Sequence, residues 1–553
     1  MNTLSRDRKR NGRTGSSAGY AAIALVLALF ASSAFAFRFD TGNPDLEIRW
    51  DNTLRYNAGI RAEGVDDTFK NNPLYDETEL SFEQGDFVLN RVDVLSEMDI
   101  VFKGAHGVRV SAGGWYDEAY EGKRPTVNEE LGVPGNYSDG RYDDYGKRYH
   151  RGPSGEILDA FVFTNTYVGD SALGLKAGSH TVYWGESLFT TFHGVSYSQS
   201  PLDGLKASSS PGITAKEVFL PVNQISGYIQ LTPELTLAAQ YYLEWEGNRL
   251  PEGGTYFGSA DMLWVGPDQL VLANGFAIPR GEDVKPTDGA GNNFGLSARW
   301  SPLWLGGTAG FYYRKFDETQ PWAAFVGPDT TFFNSYAEDT EMYAASLATT
   351  IGTVGMGFEL VYRDNTALNS TGPGPDGREG ARGDTVHFLA NGVYLMPRTP
   401  LWAGGTLQAE LIYSRFLDVD VNEQVFKHED YACDGLGQDK SDGCATDDVV
   451  LAQVGFTPDW PNAIPGGISL SMPTSLSYGL YGNGATLGGG NEGAYSWSVG
   501  VKADIRKQYS VSLKYNDAHA DYKTNPDGSF NTGSGNAIQN DHGWVSLAVE
   551  GSF

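Results

Sequence analysis

The stretch "LEIRWDNTLRYNAGIRA", Leu46 to Ala62, decides the fold by its parity. Leu46, Ile48, Trp50, Leu54, Tyr56, Ala58, Ile60 and Ala62 fall on one side of a two-residue repeat, and Glu47, Arg49, Asp51, Thr53, Arg55, Asn57 and Arg61 fall on the other. A period of two predicts a strand with an apolar face and a charged face. The same alternation returns along the chain. Val88, Val92, Val94, Met98, Ile100 and Phe102 oppose Arg91, Asp93, Glu97 and Asp99, and near the end Tyr509, Val511, Leu513 and Tyr515 oppose Ser510, Lys514 and Asn516.

The spacing between strands says which solvent each face meets. Short links fall near 104–107, 168–172, 232–234, 301–306, 352–353, 397–403, 458–465 and 507–508. Long polar segments fall near 63–86, 117–155, 185–222, 247–292, 317–340, 365–383, 416–447, 475–494 and 518–542. Short and long alternate throughout, as in outer-membrane barrels with tight periplasmic turns and long external loops. Nine long loops predict an all-β, transmembrane antiparallel β-barrel of about eighteen strands. Segments 156–167 and 466–474 alternate poorly, so sixteen is the alternative count. Strands can face hydrocarbon only in a closed barrel, where every backbone amide finds a partner. The charged parity is then expected to line a wet lumen, with Arg49, Arg55, Arg91, Asp93, Glu97 and Asp99 among its charges.

The chain has 553 residues, a net charge of -29, a mean hydropathy of -0.34, 13% aromatic residues and 70 glycines. A polyanion of this kind argues against nucleic acid as a partner. Residues 1–36 read as a secretory signal: Arg6, Arg8, Lys9, Arg10 and Arg13 precede "YAAIALVLALFA", and "SSAFA" ends at a cleavage site after Ala36. No later apolar run approaches the length of a spanning helix. Residues 37–553 are therefore read as a single outer-membrane barrel, located in the outer membrane of a Gram-negative bacterium with lipid and lipopolysaccharide around it. The two cysteines, Cys433 and Cys444, are expected to form a loop disulfide in a secreted chain.

Catalytic and metal motifs do not assemble. "GDSAL" at 169–173 is read as a turn, "GESLF" at 185–189 lacks the second glycine of a nucleophile elbow, and the eight histidines show no metal-ligand spacing. The chain is expected to be no enzyme and to need no cofactor or metal. The acidic loop holding Asp434, Asp439, Asp442, Asp447 and Asp448 is read as solvated, with divalent cation binding as the alternative.

Segment 185–222 occupies the place of a long external loop but carries "SLF", "FLP" and several aromatics. Exposed in water, that apolar content is costly, so the segment is expected to fold inward and constrict the lumen. Trp184, Glu186, Asp203, Lys216 and Glu217 are its candidate binding or gating residues; locking the loop by ion pairs and packing is the alternative role. Lys216 and Glu217 are expected to pair with opposite charges projecting from the strands.

Three blocks, "GSHTVYWGESLF" (178–189), "SPGITAKEVFLPVNQ" (210–224) and "YYLEWEGNRLPEGGTYF" (241–257), resemble a proteobacterial outer-membrane family catalogued only as a domain of unknown function. The segment "TTFHGVSYSQSPLD" departs from it, being serine-rich where the family has an Asn-Pro pattern. The C-terminal run "HGWVSLAVEGSF" resembles the signal, ending here in Phe553, that the barrel-assembly machinery recognises. The resemblance implies location and architecture, and a second envelope protein and an RND-type inner-membrane transporter as companions. It leaves the cargo open. Three functions are carried forward: a channel for a small amphipathic or hydrophobic solute, a general diffusion porin for polar solutes, and a non-transporting scaffold for a periplasmic or inner-membrane partner. An oligomer is compatible with each.

Overall fold

A computed structural model describes residues 37–210, 213, 215–287 and 291–553. The signal reading of residues 1–36 lies outside this range. Eighteen antiparallel strands run in sequence: β1 (Leu46–Arg61), β2 (Phe87–Phe102), β3 (His106–Asp117), β4 (Ser154–Val168), β5 (Ser171–His180), β6 (Val222–Gln230), β7 (Leu235–Tyr242), β8 (Phe294–Trp300), β9 (Gly307–Phe316), β10 (Thr340–Ile351), β11 (Val354–Ala367), β12 (Arg382–Leu395), β13 (Gly404–Val421), β14 (Asp448–Ile464), β15 (Ile468–Ser471 continued by Thr474–Tyr481), β16 (Tyr495–Ile505), β17 (Tyr509–His519) and β18 (Trp544–Ser552). Each pairs with the next, and β18 returns to β1 from Ser552↔Thr53 to Trp544↔Arg61. The barrel is closed, with no free edge to template a wrong partner. No described helix is long and apolar enough to cross a membrane.

Strand β11 shows which way the faces point. Leu360 is 53% exposed on the outside, while its neighbours Glu359 and Val361 and the charged Arg363 are 1%, 0% and 0% exposed within. Charges are buried inside and apolar side chains stand outside, the reverse of a water-soluble sandwich. The register also matches the inward charges across strands: Arg49 lies opposite Asp99, and Arg55 opposite Asp93. Arg49 reaches Asp99 at 3.0 Å and Arg91 reaches Asp93 at 2.8 Å. Opposed charges on one face stabilise the pairing register.

The eight tight turns occupy one end of the barrel and the nine long connections the other. "GDSAL" is indeed a turn, Gly169–Asp170 joining β4 to β5. Of the poorly alternating segments, 156–167 lies wholly within β4 and 466–474 supplies the last residues of a turn and the interrupted start of β15. Three boundaries differ from the sequence reading: 458–465 is no link, because β14 runs to Ile464 and the turn lies at 465–467, and the long segments read at 416–447 and 475–494 begin only after Val421 and Tyr481, where β13 and β15 end. Strand β15 is interrupted at Met472–Pro473, opposite Pro458, where two prolines lack an N–H to donate; Met472 still donates its N–H to the Pro458 carbonyl of β14 at 3.0 Å, so the register is the same on both sides of the break.

The long connections pack together as a lid. Its largest cluster joins Phe82, Tyr120, Tyr137, Tyr142, Tyr256, Phe257 and Trp544. Within the lid Asp76, Glu77 and Asp261 are buried together, and desolvation pushes all three carboxyls above their usual range. Cys433 and Cys444 are bonded to each other in the 422–447 connection. Lys523 of the β17–β18 connection holds Asp439 and Asp442 of that loop, at 3.4 and 2.9 Å, and Asp448, the first residue of β14, accepts from Tyr413 at 2.6 Å.

Candidate channel constriction

The connection from β5 to β6, residues 181–221, makes its contacts with inward-facing residues of the barrel wall. Its first limb, 184–198, is held by main-chain atoms. The Glu359 carboxylate of β11 accepts from the N–H groups of Glu186, Ser187 (2.9 Å) and Val195 (2.7 Å). Glu410 of β13 accepts from Leu188 (2.6 Å), Phe189 and Thr190 (both 3.3 Å). Successive N–H groups converging on an anion form a nest. Gly185 permits it: its φ is +99°, and a Cβ there would stand 2.5 Å from a Glu359 oxygen.

Cations satisfy the opposite groups. Arg314 of β9 donates to the carbonyls of Val195 (3.0 Å), Tyr197 (2.6 Å) and Ser198 (3.0 Å), and Arg363 of β11 donates to Phe192 at 2.6 Å while lying 3.8 Å over the Tyr197 ring. Trp184 packs against Tyr312 at 6.0 Å and over Gly295, where a Cβ would be 2.7 Å from the indole. Glu186 lies 3.9 Å from Arg299. The imidazoles of His193 and His387 meet at 3.0 Å.

The second limb, described at 202–210, 213 and 215–219, brings Leu202 and Phe219 together in a bridge, exchanges main-chain hydrogen bonds with Arg249 at Leu202 and Gly204, and meets the wall strands through side-chain ion pairs. Asp203 caps the short helix Gly204–Ser209 by accepting from the Lys206 N–H and pairs with Arg249 at 2.6 Å. Glu156 of β4 binds Arg249 at 2.7 Å and Lys206 at 3.1 Å. Lys216 reaches Glu97 at 2.6 Å, and Glu217 reaches Arg55 at 3.0 Å, whose guanidinium also binds Glu550 at 2.7 Å.

The five residues singled out from the sequence thus all touch the wall or its bound loops, but in two groups: Trp184 and Glu186 against β8–β10, and Asp203, Lys216 and Glu217 toward β1, β2, β4 and β18. Of the lumen charges, Arg55 and Glu97 meet the segment directly, Arg49, Asp93 and Asp99 pair within the wall, and Arg91 also donates to the Tyr149 carbonyl at 3.1 Å. Sequence reasoning missed Glu359, Glu410, Arg314 and Arg363. Each sits on the inward parity of a strand, the only signal available.

Two clusters of metal-ligating side chains occur among the described residues. In the first, Glu79, Asp541 and His542, the Arg61 guanidinium already sits 2.5 Å from Glu79 and 3.0 Å from Asp541. That arrangement fits an ion pair and leaves a second cation repelled. In the other, His428 Nδ1 accepts from the Asp430 N–H at 3.1 Å, which leaves the ring proton on Nε2, 3.4 Å from Asp447. Neither set offers a ready imidazole lone pair and free carboxylates together.

The family model described as "Protein of unknown function (DUF1302)" matches residues 17–553. The chain belongs to this family. Comparison with curated proteins finds no match. Among solved structures the DUF1302 chain is similar to OpdK of Pseudomonas aeruginosa solved with vanillate (11% identity, TM-score 0.38, covering 92% of this chain and 98% of that one). It is also similar to Acinetobacter baumannii OccAB4 (10%, 0.42, 92% and 100%) and to the outer-membrane channel DcaP of the same organism (11%, 0.36, 94% and 100%).

Proposed function

We propose that this DUF1302 barrel is an outer-membrane channel for a small amphipathic or hydrophobic solute, constricted by residues 181–221. One observation carries the reading: the segment is fastened on one side to β9, β11 and β13 and on the other to β1 and β2, so it spans the interior. Tyr183, Leu188 and Phe189 of this segment remain exposed although their neighbours are tied to the wall. Apolar side chains left at a wetted constriction favour passage of a partly apolar solute. The charge ladder formed by Arg49, Asp99, Arg109 and Glu97 favours the second reading, a diffusion porin for polar solutes. Deleting residues 190–215 tests the constriction. The deletion barrel, shown to be assembled by heat-modifiable gel mobility, is expected to have a several-fold higher single-channel conductance; an assembled barrel of unchanged conductance overturns the reading. A large steady conductance of the intact chain selects the porin instead.

A further inference from the structure

The 181–221 segment covers one side of the lumen and leaves another accessible. Its ties run to β9, β11 and β13 on one side and to β1, β2 and β4 on the other. Beneath it the inward residues Arg314, Glu359, Arg363, His387 and Glu410 are buried. On β15, β16 and β17 the inward side is open instead. Leu476, Val501 and Leu513 stand exposed on the lipid face, so the alternate positions point inward. Of these Ser475 and Ser496 are exposed, and Ser498, Lys502, Lys514 and Asn516 are half-buried. Hydroxyls dominate this wall, with Ser475 and Ser498 in contact at 2.8 Å.

The edge of the segment nearest this wall is apolar. The Phe189 ring lies over Gly455 of β14, where a Cβ would stand 3.3 Å from it, and Leu188 and Phe189 both remain exposed. The register carries the level of Gly455 across the wall: Gly455 faces Ser475, Ser475 faces Ser498, and Ser498 faces Asn516. Lys514 is the next inward residue on β17, one step toward the tight turns. It lies three strands from Gly455, about 14 Å along the wall at about 4.8 Å per strand. Gly500 makes room for it, since a Cβ there would be 2.5 Å from the Lys514 stem. The other inward charges of β15–β18 are matched: Lys502 pairs with Asp504 at 3.1 Å, and Glu550 with Arg55 at 2.7 Å. Lys514 forms no ion pair among the described residues, and the charge acting on it is the cation Lys502, diagonal to it in the register. An uncompensated cation on a wetted wall raises the local concentration of anions.

We propose that solutes pass along the β14–β17 wall and that Lys514 selects amphipathic anions there, the charged head following Ser475, Ser498 and Lys514 and the apolar part following Leu188 and Phe189. This rests on the channel reading and names its solute class. The test reconstitutes the full-length barrel into liposomes and measures uptake of hexanesulfonate and of hexyltrimethylammonium against protein-free liposomes. The two probes share a tail and carry fixed opposite charges. Hexanesulfonate is expected to enter several-fold faster. Lys514→Gln is expected to slow it about tenfold, the loss of one charge-assisted contact, without slowing the cation, and Lys514→Arg to keep the preference. Ser498→Phe narrows the wall without changing its charge and is expected to slow both probes. Assembly of each variant is checked by heat-modifiable gel mobility, and the preference of the parent barrel reports even if a variant assembles poorly. Equal uptake of the two probes by the parent, an unchanged ratio in Lys514→Gln, or unchanged uptake in Ser498→Phe would overturn the assignment. Probes excluded by the parent but admitted by the 190–215 deletion would overturn this path and leave the constriction standing; exclusion by both barrels would overturn the channel reading itself.

Discussion

The two limbs of the 181–221 segment are fastened by opposite means. In the first limb the wall supplies charged side chains and the segment supplies main chain: six N–H groups go to Glu359 and Glu410, and carbonyls go to Arg314 and Arg363. In the second limb the contacts with the wall strands are between side chains, through Lys206, Lys216 and Glu217, while Leu202–Gly204 also exchange main-chain hydrogen bonds with Arg249 of the neighbouring connection, to which Asp203 is paired. Main-chain donors are obligatory: once buried they must be paired, whatever side chains the segment carries. Ion pairs between side chains can be dissolved by one substitution and, where exposed, by salt. The first limb is therefore the fixed part of the constriction and the second the part that can be released.

The sharpest test of that ranking removes an acceptor from the first limb. Glu359→Ala orphans three N–H groups, that of Val195 buried and those of Glu186 and Ser187 half-buried, at about 1 kcal/mol or more each. At about 1 kcal/mol each the closed arrangement loses about 3 kcal/mol, roughly a hundredfold in the closed-to-open ratio. Single-channel recording is expected to show long dwells at high conductance, with the barrel still assembled. Glu359→Gln keeps one acceptor oxygen and is expected to open less often than the alanine variant. If Glu359→Ala conducts like the parent, the first limb is not the anchor.

A smaller effect is expected at the inner end of the second limb. Arg55 is buried and divides its guanidinium between Glu217 and Glu550. Glu217→Gln leaves Arg55 its β18 partner, so no buried charge is stranded, and the loss is that of one charge-assisted pair, about 1.5 to 3 kcal/mol. Arg55→Met also strips Glu550 and severs a contact between β1 and β18. Glu217→Gln is expected to raise the open fraction about tenfold without lowering the amount of assembled barrel, whereas Arg55→Met lowers assembly as well. Open dwells in Glu217→Gln longer than those of Glu359→Ala would invert the order of the two limbs.

The same contrast explains what could be read in advance. Strand number followed from the nine long connections, and the two faces from the alternation of Leu46–Ala62 and its repeats, because charge inside and apolar groups outside impose a two-residue period on a strand. Pro458 and Pro461, residues that usually mark a strand's end, lie within β14, which continues to Ile464 through the segment read as a link. In the segment, Asp203, Lys216 and Glu217 were legible as charges set among apolar residues. Glu359 and Glu410 were not, because the partners they hold are backbone amides, which every residue but proline possesses. Nothing in "GESLFT" distinguishes an amide that will meet a carboxylate from one that will meet water. The glycine at 185 was visible, but its meaning depends on a carboxylate contributed 174 residues later.

The smallest expected effect is also the most diagnostic of how the second limb is held. Lys216 pairs with Glu97 at 2.6 Å, yet its side chain is 53% exposed, while Glu97 is retained by Arg109. An exposed ion pair contributes about 0.2 to 1 kcal/mol, and Lys216→Met strands no charge because Arg109 keeps Glu97. The variant is expected to raise the open fraction no more than about fivefold. Raising salt from 0.1 M to 1 M shortens the screening length from about 10 Å to about 3 Å, so in the parent the open fraction should creep upward with salt and in Lys216→Met it should respond less. Glu359→Ala, whose remaining second-limb pairs still carry the segment, is expected to show the steepest salt response of all. A flat salt response in that variant would mean that the second limb is held by its packing and helix cap rather than by its charges, and the division between the two limbs would then rest on burial alone.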